Sequence, residues 1–537
     1  MPRSAIAALT ALPLSRGLLL AMATLSCGGP TPPSDANLVI ISVDTLRADH
    51  LGAYGNNRWQ NSPTPQADEL AARGVLFETH YAPRGQTHPS LASLITGKYP
   101  ITTGLRENRF PLPSQHRTLF EHLQDAGYQT GVFISNLQVD NPQDPTESWI
   151  ARGADVKSDG FQGNLRKEGG QNESRFQRTW DERVQFAALD YLGQVDTDQP
   201  FAMWVHFYDV HKPYNPPPTH TQAYGPHGPT VPQILRAPGD QSGQLLDKHL
   251  NEITLGNREI SADELSRING LYDSTVRATD DRIATILARL DELGERDNTY
   301  IVFTSDHGEE LYDHNRYFFH GASIYDGTVS VPLIISGPDL PTGKRVPAVT
   351  RHIDVAPTLL DLLQLPEAAA DMEGGSLKPL AQGETTEPPA PFAIIEWQDL
   401  IYAVSDGKHK LIWNDQHIWP KKPPYYGNKV PKTVGFEIDC VEGYDLLADP
   451  YEQVNLLADI TVSAEDRGTG RALPEAFQPH FNALQRFLAD PNHQGGFAAD
   501  ALDSKALEQL RQLGYVGTGG AVERPDSTRA APCIDEG

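Results

Sequence analysis

Thr87 opens a short segment whose residue types suit attack on an anionic ester. Pro89 stands where helices favour proline, in the first turn, and Gly97 stands where helices commonly end. The pattern predicts a short helix with the Thr87 hydroxyl at its N-terminus. Free backbone N–H groups and the helix dipole favour anions at that end of a helix. We therefore expect Thr87 to lie where a phosphate or sulfate ester could be bound and attacked.

Carboxylates and imidazoles follow several apolar runs that read as buried strands. Open α/β sheets bind ligands at the carboxyl ends of their strands, and carboxylates combined with imidazoles suit zinc, manganese or calcium. Taken singly, each acid could instead cap a turn or helix, and Thr87 could be a routine N-cap. Their joint appearance at strand ends favours one polar site that holds a divalent metal. The residues concerned are Asp44, Thr87, Asp209, His211, Asp306, His307 and His320.

The elements that must position these residues alternate between strands and helices. Thr118 with Glu121, and Ser261 with Glu264, form the capping-box pattern that starts a helix. Alternation of this kind predicts an α/β fold, with a mostly parallel sheet and helices on both of its faces. The predicted strands include Asn37–Val43, Tyr128–Ser135, Phe201–Phe207, Tyr300–Thr304 and Val331–Ser336.

The last part of the chain has a different pattern of predicted elements, and we place a domain boundary at residue 385. Ile394–Ile401, Tyr402–Val404 and Lys410–Trp413 are short strand-like runs, and a helix is expected near Pro474–Leu488. They predict a small antiparallel α+β subdomain packed on the main domain. The expected organisation is a catalytic domain over 37–385, a C-terminal subdomain over 386–515 and a tail over 516–537. Polar insertions at 154–175 and 219–260 are expected to be surface loops that shape a cleft.

The N-terminus has the pattern of a bacterial lipoprotein signal. Arg3 and Arg16 flank an uncharged stretch, and the apolar core Leu18–Leu25 is too short to span a bilayer. Cys27, preceded by a small residue and followed by glycine, resembles a lipidation site; the alternative is an ordinary cleaved signal with an incidental cysteine. We expect residues 1–26 to be removed, Cys27 to carry lipid and 27–36 to form a tether. The protein would then be lipid-anchored in the bacterial cell envelope, periplasmic or surface-exposed.

Composition and charge limit the possible partners. The 537 residues include 39% apolar and 8% aromatic ones, as in a globular protein. A formal net charge of −26 argues against nucleic acid as a partner, and against membrane contact other than through the anchor. An anionic substrate would need a strong local positive field, for which metal ions are the obvious source. If Cys27 carries lipid, Cys440 and Cys533 are left and could pair, although nothing in the sequence shows them to be close.

As a set, the motifs resemble the sulfatase family within the alkaline-phosphatase superfamily. The resemblance covers nearly the whole mature chain and implies an alkaline-phosphatase-like fold and an ester hydrolase. The matching segments are Val43–Gly55, Thr64–Phe77, Pro89–Gly97, Asp209–Tyr214, Ser305–Glu309, Val331–Ile334, Asp354–Leu360 and Gly443–Leu456.

The sequence departs from the family pattern at the residues that would perform the chemistry. Sulfatases usually carry a Cys or Ser that is matured to formylglycine, and Thr87 stands in that slot and cannot form the aldehyde. Leu91 stands in the arginine slot, Phe133–Asn136 replaces a usual lysine and histidine, and a usual lysine is replaced near His320. These substitutions resemble another branch of the superfamily, in which a Ser or Thr nucleophile lies between two divalent metals.

That second resemblance implies one or two ions of zinc, manganese or calcium. His211, if it is not a ligand, would protonate the leaving group. The Asp209–His211 spacing is shorter than is usual in that branch, so the second site departs from its pattern. The implied ligands are Asp44, Thr87, Asp306 and His307 for the first ion, and Asp209, His211 and His320 for the second.

Three functional hypotheses follow. The favoured one is a metal-dependent hydrolase of anionic esters, with phosphoesters preferred and Thr87 as the nucleophile. The second is a sulfatase that works without formylglycine. The third is a non-catalytic lipoprotein that keeps the fold to bind anionic glycans or other anions.

Overall fold

The computed structural model describes residues 34–108, 110–135, 148–158, 180–220, 224, 250, 252–253, 258–314, 318–321, 323–397, 401–414, 441–460 and 469–493. The predicted signal, Cys27, Cys440, Cys533, the tail and most of both insertions lie outside these residues. Within them, no helix combines the length and the apolar character that crossing a membrane requires.

A mostly parallel eight-stranded sheet forms the centre of the fold, as predicted. Its strand order is β10-β2-β9-β6-β1-β5-β3-β4, and only β9 runs antiparallel to its neighbours. The central strands are buried along their whole length because helices cover both faces, so their sequences are nearly continuous apolar runs. The bounds are β1 Asn37–Val43, β2 Val75–Tyr81, β3 Gln129–Ile134, β4 Val156–Ser158, β5 Phe201–Phe207, β6 Thr299–Ser305, β9 Leu333–Ser336 and β10 Lys344–Arg351. A separate hairpin pairs β7 Glu310–Leu311 with β8 Phe318–Phe319.

Alternate residues of each central strand enter two cores, one on each face. Leu38 and Ile40 pack among residues of α2, α4 and α8, whereas Val39 and Ile41 pack among residues of α1, α5 and α6. Both predicted capping boxes are present, at the starts of α4 and α6. The helices are α1 Pro65–Arg73, α2 Thr87–Thr96, α3 Pro100–Thr103, α4 Leu119–Asp125, α5 Trp180–Leu192, α6 Ala262–Leu293, α7 Asp326–Val329, α8 Val355–Leu362, α9 Lys378–Gln382 and α10 Gln478–Ala489.

The predicted small antiparallel sheet is also present. It consists of β11 Ala393–Trp397, β12 Ile401–Ser405, β13 His409–Trp413 and β14 Val441–Asp445, paired in that order, with α10 packed against it. The predicted single run Ile394–Ile401 was wrong, because β11 ends at Trp397 and Ile401 already belongs to the next strand. The other face of this sheet packs on the main domain.

Candidate active site

The ends of β1, β5 and β6 define the place where the candidate residues meet. Val43, the last residue of β1, pairs with Phe207 of β5 on one side and with Ser305 of β6 on the other. The residues that follow these strand ends therefore lie side by side at the carboxyl edge of the sheet, where α/β folds bind ligands. Asp44 and Asp306 are the acids that directly follow β1 and β6.

Two carboxylates and one imidazole form a compact buried cluster at this edge. One ligand atom from each of Asp44, Asp306 and His307 lies within 4.8 Å of the others. His307 Nε2 is 3.4 Å from Asp306 Oδ2 and 3.9 Å from Asp44 Oδ1. The Thr87 hydroxyl oxygen lies 3.3 Å from the same nitrogen. The structure thus brings together all four residues predicted for the first metal site.

The hydrogen bonds of Asp306 fit a metal ligand. Its Oδ1 accepts hydrogen bonds from the backbone N–H groups of His307 (2.8 Å) and Thr45 (3.2 Å). Its Oδ2, although buried, accepts none from any described residue. Burial would raise the pKa of Asp306, but the neighbouring His307 and His206, together with those backbone hydrogen bonds, lower it. A buried ionised carboxylate oxygen without a donor is suited to a cation.

His307 is oriented for the same role. Its Nδ1 lies 2.9 Å from the carbonyl oxygen of Gly308, which can only accept, so Nδ1 carries the proton. The lone pair of Nε2 then faces the carboxylates and Thr87. Metal-binding histidines commonly donate their other N–H to a carbonyl or carboxylate in this way.

Thr87 is the first residue of α2, as predicted, but few backbone N–H groups remain free there. Pro89 has none, the His88 N–H bonds Asn108 Oδ1 (2.9 Å), and the Ser90 N–H bonds the Gln86 carbonyl (3.1 Å). Among the described residues, this leaves Thr87 as the one first-turn residue whose N–H is unused. The expectation of several free N–H groups was wrong, because the Asn108 side chain takes one of them. Anion binding must depend mainly on other charges.

His211 and His320 lie beside this cluster. The ring centroid of His320 is 4.5 Å from that of His307 and 4.9 Å from that of His211. Burial and the neighbouring His320 lower the pKa of His211 to about 3, and burial and His307 lower the pKa of His320 well below its usual value. Without a bound cation both imidazoles are neutral at pH 7. That state suits a ligand or proton acceptor better than the predicted acid role of His211.

The protein fixes the orientation of both imidazoles. His211 Nδ1 is 2.7 Å from the Lys212 carbonyl oxygen and 2.8 Å from the Tyr208 hydroxyl. His320 Nδ1 is 3.1 Å from a carboxylate oxygen of the buried Glu309. An acceptor at each Nδ1 leaves Nε2 as the unprotonated atom.

Asp209, the third residue predicted for a second metal site, is not part of the described three-ligand cluster. Arg282 Nη1 lies 3.6 Å from its Oδ2. Asp181 accepts the backbone N–H groups of Tyr208 and Asp209, both at 2.9 Å, and thereby fixes the turn after β5. His320 therefore lies beside the first cluster with His211 next to it, whereas the contact that the structure gives the Asp209 carboxylate is with Arg282.

Sequence reasoning missed Glu309 and Ser90. Burial raises the pKa of Glu309, and the positive charge of the nearby Lys212 offsets that effect only in part. Ser90 donates a 2.5 Å hydrogen bond to the Asp306 carbonyl and so connects α2 to the end of β6. Both residues stand in motifs quoted above, but no pattern in the sequence shows which side chain each one touches.

A hydroxyl, two carboxylates and three imidazoles at the edge of a mostly parallel sheet characterise ester hydrolases of the alkaline-phosphatase-like superfamily. Within that class the chain belongs to the sulfatase family, whose model matches residues 36–365, more than half of the chain.

Individual relatives extend over most of the chain. An N-acetylglucosamine-6-O-sulfatase of Bacteroides thetaiotaomicron is 25% identical over 521 residues, covering 85% of this chain and 89% of the relative. A multifunctional alkaline phosphatase superfamily protein of Trinickia caryophylli is 25% identical and covers 80% of this chain and 92% of its own. The solved structure of a phosphonate monoester hydrolase of Agrobacterium radiobacter superposes with a TM-score of 0.60 at 23% identity, covering 88% of this chain and 97% of that chain. This last likeness concerns the fold.

Proposed function

We propose that this protein is a metal-dependent hydrolase of anionic esters that uses Thr87 as its nucleophile and prefers phosphoesters to sulfate esters. The observation that carries the proposal is the position of the Thr87 hydroxyl, 3.3 Å from His307 Nε2 beside the Asp44–Asp306–His307 cluster. A threonine that merely capped the helix would instead accept a hydrogen bond from a backbone N–H group of the first turn.

Asp44, Asp306, His307 and Thr87 would hold the cation. A divalent ion bound there would lower the pKa of the Thr87 hydroxyl and offset the negative charge of the ester. The cation would also take up the Nε2 lone pair of His307, so that imidazole would not serve as the base for the Thr87 hydroxyl.

The chain's own residues then perform a double displacement. The Thr87 oxygen attacks phosphorus or sulfur, the alcohol leaves, and water cleaves the resulting threonine ester from the opposite side. His211 and His320 are neutral, so they can accept a proton and pass it to the leaving oxygen. Tyr208 and Glu309 hold these two rings in place for that transfer.

The proposed preference for phosphoesters rests on groups of the usual sulfatase site that this chain lacks and on the residues that stand in their place. Thr87 cannot provide an aldehyde hydrate, and Leu91, in the arginine slot, is buried in the apolar core beneath the sheet edge. His320 brings no fixed charge. A pocket with few fixed cations depends on bound metal, and metal charge suits the greater negative charge of a phosphoryl group.

Sulfate ester hydrolysis is the second candidate. It is supported by the match to the N-acetylglucosamine-6-O-sulfatase over 89% of that relative. The match to a multifunctional superfamily protein, by contrast, is compatible with several ester classes. Binding without catalysis is the third hypothesis, and the presence of the three other ligand groups beside Thr87 counts against it.

The test compares kcat/KM for matched aryl phosphate, diaryl phosphate, aryl phosphonate and aryl sulfate. Each is measured on protein loaded with zinc, manganese or calcium. Thr87→Val, which keeps the shape and removes the hydroxyl, should lose turnover by at least about a thousandfold, whereas Thr87→Ser should retain most of it. A clear preference of the wild type for aryl sulfate would establish the second candidate. Turnover of Thr87→Val close to the wild type would exclude Thr87 as the nucleophile.

The same proposal places the enzyme in the cell envelope, attached through lipid on Cys27. Fractionation of the wild type and Cys27→Ala tests this part separately. Release of Cys27→Ala into the soluble fraction supports the anchor, and an unchanged distribution contradicts it.

A further inference from the structure

The loop directly before Thr87 is held by a closed circuit of three side chains: Arg84, Gln86 and Glu107. Arg84 Nε donates to Gln86 Oε1 (2.7 Å), and Arg84 Nη2 donates to Glu107 Oε1 (3.1 Å). Gln86 Nε2 donates to Glu107 Oε2 at 2.9 Å and completes the circuit. Arg84 is fully buried. Each member is thus bonded to both others.

Gln86 has an unusual role for its position. It is the N-cap residue of α2, a position that favours Ser, Thr, Asp or Asn because their short side chains bond to the first-turn N–H groups. Gln86 makes no such bond, and its side chain belongs to the circuit instead. On the other side of Thr87, the His88 N–H bonds Asn108, the chain neighbour of Glu107. One short segment, residues 107–108, therefore holds the chain both before and after the nucleophile.

The C-terminal subdomain reaches the same loop. The Glu396 N–H of β11 bonds the Pro83 carbonyl at 2.9 Å, and a Glu396 carboxylate oxygen lies 3.7 Å from Arg84 Nη1. Both Arg84 and Glu396 are buried, with 0% and 1% of their surface exposed. Buried ion pairs are often no more stabilising than apolar residues of the same volume, so stability alone does not account for charged groups here.

We infer that Arg84, Gln86 and Glu107 are positioning residues that fix the Thr87 hydroxyl against the Asp44–Asp306–His307 cluster. The inference rests on the proposed function, because it assumes that this hydroxyl attacks the ester. The arginine slot of the family motif cannot do this work, since Leu91 points into the apolar core. Attack requires the reacting atoms to be aligned at about 3–3.5 Å, and a displacement of about 1 Å can lower the rate about a hundredfold.

Gln86→Met is the variant that tests the inference. It removes two contacts of the circuit but leaves the buried charges of Arg84, Glu107 and Glu396 in place. We expect kcat for the best aryl ester to fall about 10- to 100-fold, with KM and metal affinity unchanged and only a small fall in Tm, because the buried Arg84 Nε–H loses its acceptor. Gln185→Met is the matched control, since it removes a 2.8 Å side-chain hydrogen bond to Thr285 between α5 and α6. Its kcat should equal that of the wild type.

Several outcomes overturn the inference. A kcat of Gln86→Met within twofold of the wild type does so. A fall in kcat accompanied by a fall in metal affinity, or by unfolding of the variant at the assay temperature, does so as well, since either shows a merely structural role. If the wild type hydrolyses none of the esters, the proposed function fails. Amide hydrogen exchange of the peptide covering residues 82–95 then decides whether the circuit holds this segment. Faster exchange in Gln86→Met than in the wild type and Gln185→Met supports the circuit as the holder of this segment. If amide exchange of this peptide is unchanged in Gln86→Met, the circuit does not hold the segment.

Discussion

Two of the regions that contain buried charges, the sheet edge and the junction of the two sheets, treat those charges differently. At the sheet edge, two fully buried carboxylates, those of Asp44 and Asp306, lie around one imidazole, and one oxygen of Asp306 has no donor among the described residues. At the junction of the two sheets, Lys410 Nζ lies 2.7 Å from Asp326 Oδ1 and 2.8 Å from Glu452 Oε1. There the protein supplies its own cation.

The difference teaches how to distinguish a functional from a structural buried acid. An isolated buried charge is costly, so a folded protein either pairs it or uses it. The junction pairs its acids with Lys410, whose pKa rises, against the effect of burial, because Asp326 and Glu452 surround it. At the sheet edge, a divalent cation would provide the partner that Asp306 Oδ2 lacks among the described residues. The following predictions therefore expect different effects of substitutions in the two regions.

The largest effect is expected for Asp306→Asn. The amide keeps the shape of the side chain and can accept the backbone N–H groups of Thr45 and His307, but it removes the negative charge. Metal affinity and kcat/KM should each fall by at least about a thousandfold. The Tm of the metal-free protein should not fall, because one of two neighbouring buried acids is neutralised. Metal titration, kinetics and thermal melts check this. A large loss of stability without loss of metal binding would show that Asp306 is a structural acid.

Lys410→Met should give the opposite result. Removing the cation leaves Asp326 and Glu452 buried without their partner, which should lower the free energy of unfolding by about 3–5 kcal/mol. The folded fraction should keep its metal affinity and kcat. Lys408→Met, an exposed lysine of the same hairpin, is the control and should leave stability unchanged within about 0.5 kcal/mol. An unaltered unfolding midpoint of Lys410→Met in urea would contradict the contrast between the two regions.

Much of the fold and half of the site could be predicted because they depend on local sequence. Apolar runs identify strands, and acids directly after strand ends stay in register with their neighbours, as Asp44 and Asp306 do. Asp209 lies two residues beyond β5, where the loop rather than the sheet sets the side-chain direction. Its surroundings, Asp181 and Arg282, come from distant helices. No pattern in the sequence brings such partners together, and the same is true of Lys410 and Glu452.

Asp209→Asn tests whether Asp209 is a functional acid or a structural one. Its carboxylate faces Arg282, a pairing of the structural kind, although it stands within the family motif. We expect kcat/KM to stay within about threefold of the wild type, since Asp209 pairs with Arg282 and is not among the residues proposed to hold the first cation. The comparison with Asp306→Asn on the same substrates is the measurement. A loss of a hundredfold or more would show that Asp209 does take part in a second metal site, and would restore the arrangement expected from sequence.

The smallest effect concerns a histidine that ties the C-terminal subdomain to the main domain. His493 Nε2 lies 2.7 Å from Glu373 Oε1, and Nδ1 lies 2.7 Å from the Phe487 carbonyl, so both nitrogens face acceptors and the cation is favoured. Burial lowers the pKa of His493, but these hydrogen bonds outweigh burial and raise it above 6.5. Since the folded state holds the proton more tightly than the unfolded chain, the stabilisation is complete below about pH 6.5 and is lost as pH rises through the raised pKa.

The free energy of unfolding of the wild type should therefore contain a component of about 1 kcal/mol that is present below about pH 6.5 and disappears as the pH rises through the raised pKa of His493. His493→Gln should lack this component, whereas His220→Gln, which removes a more exposed pair with Asp281, should keep it. Urea unfolding at several pH values measures it. If the difference between the wild type and His493→Gln were the same at pH 6 and pH 9, the contact would act by packing and not as a paired charge.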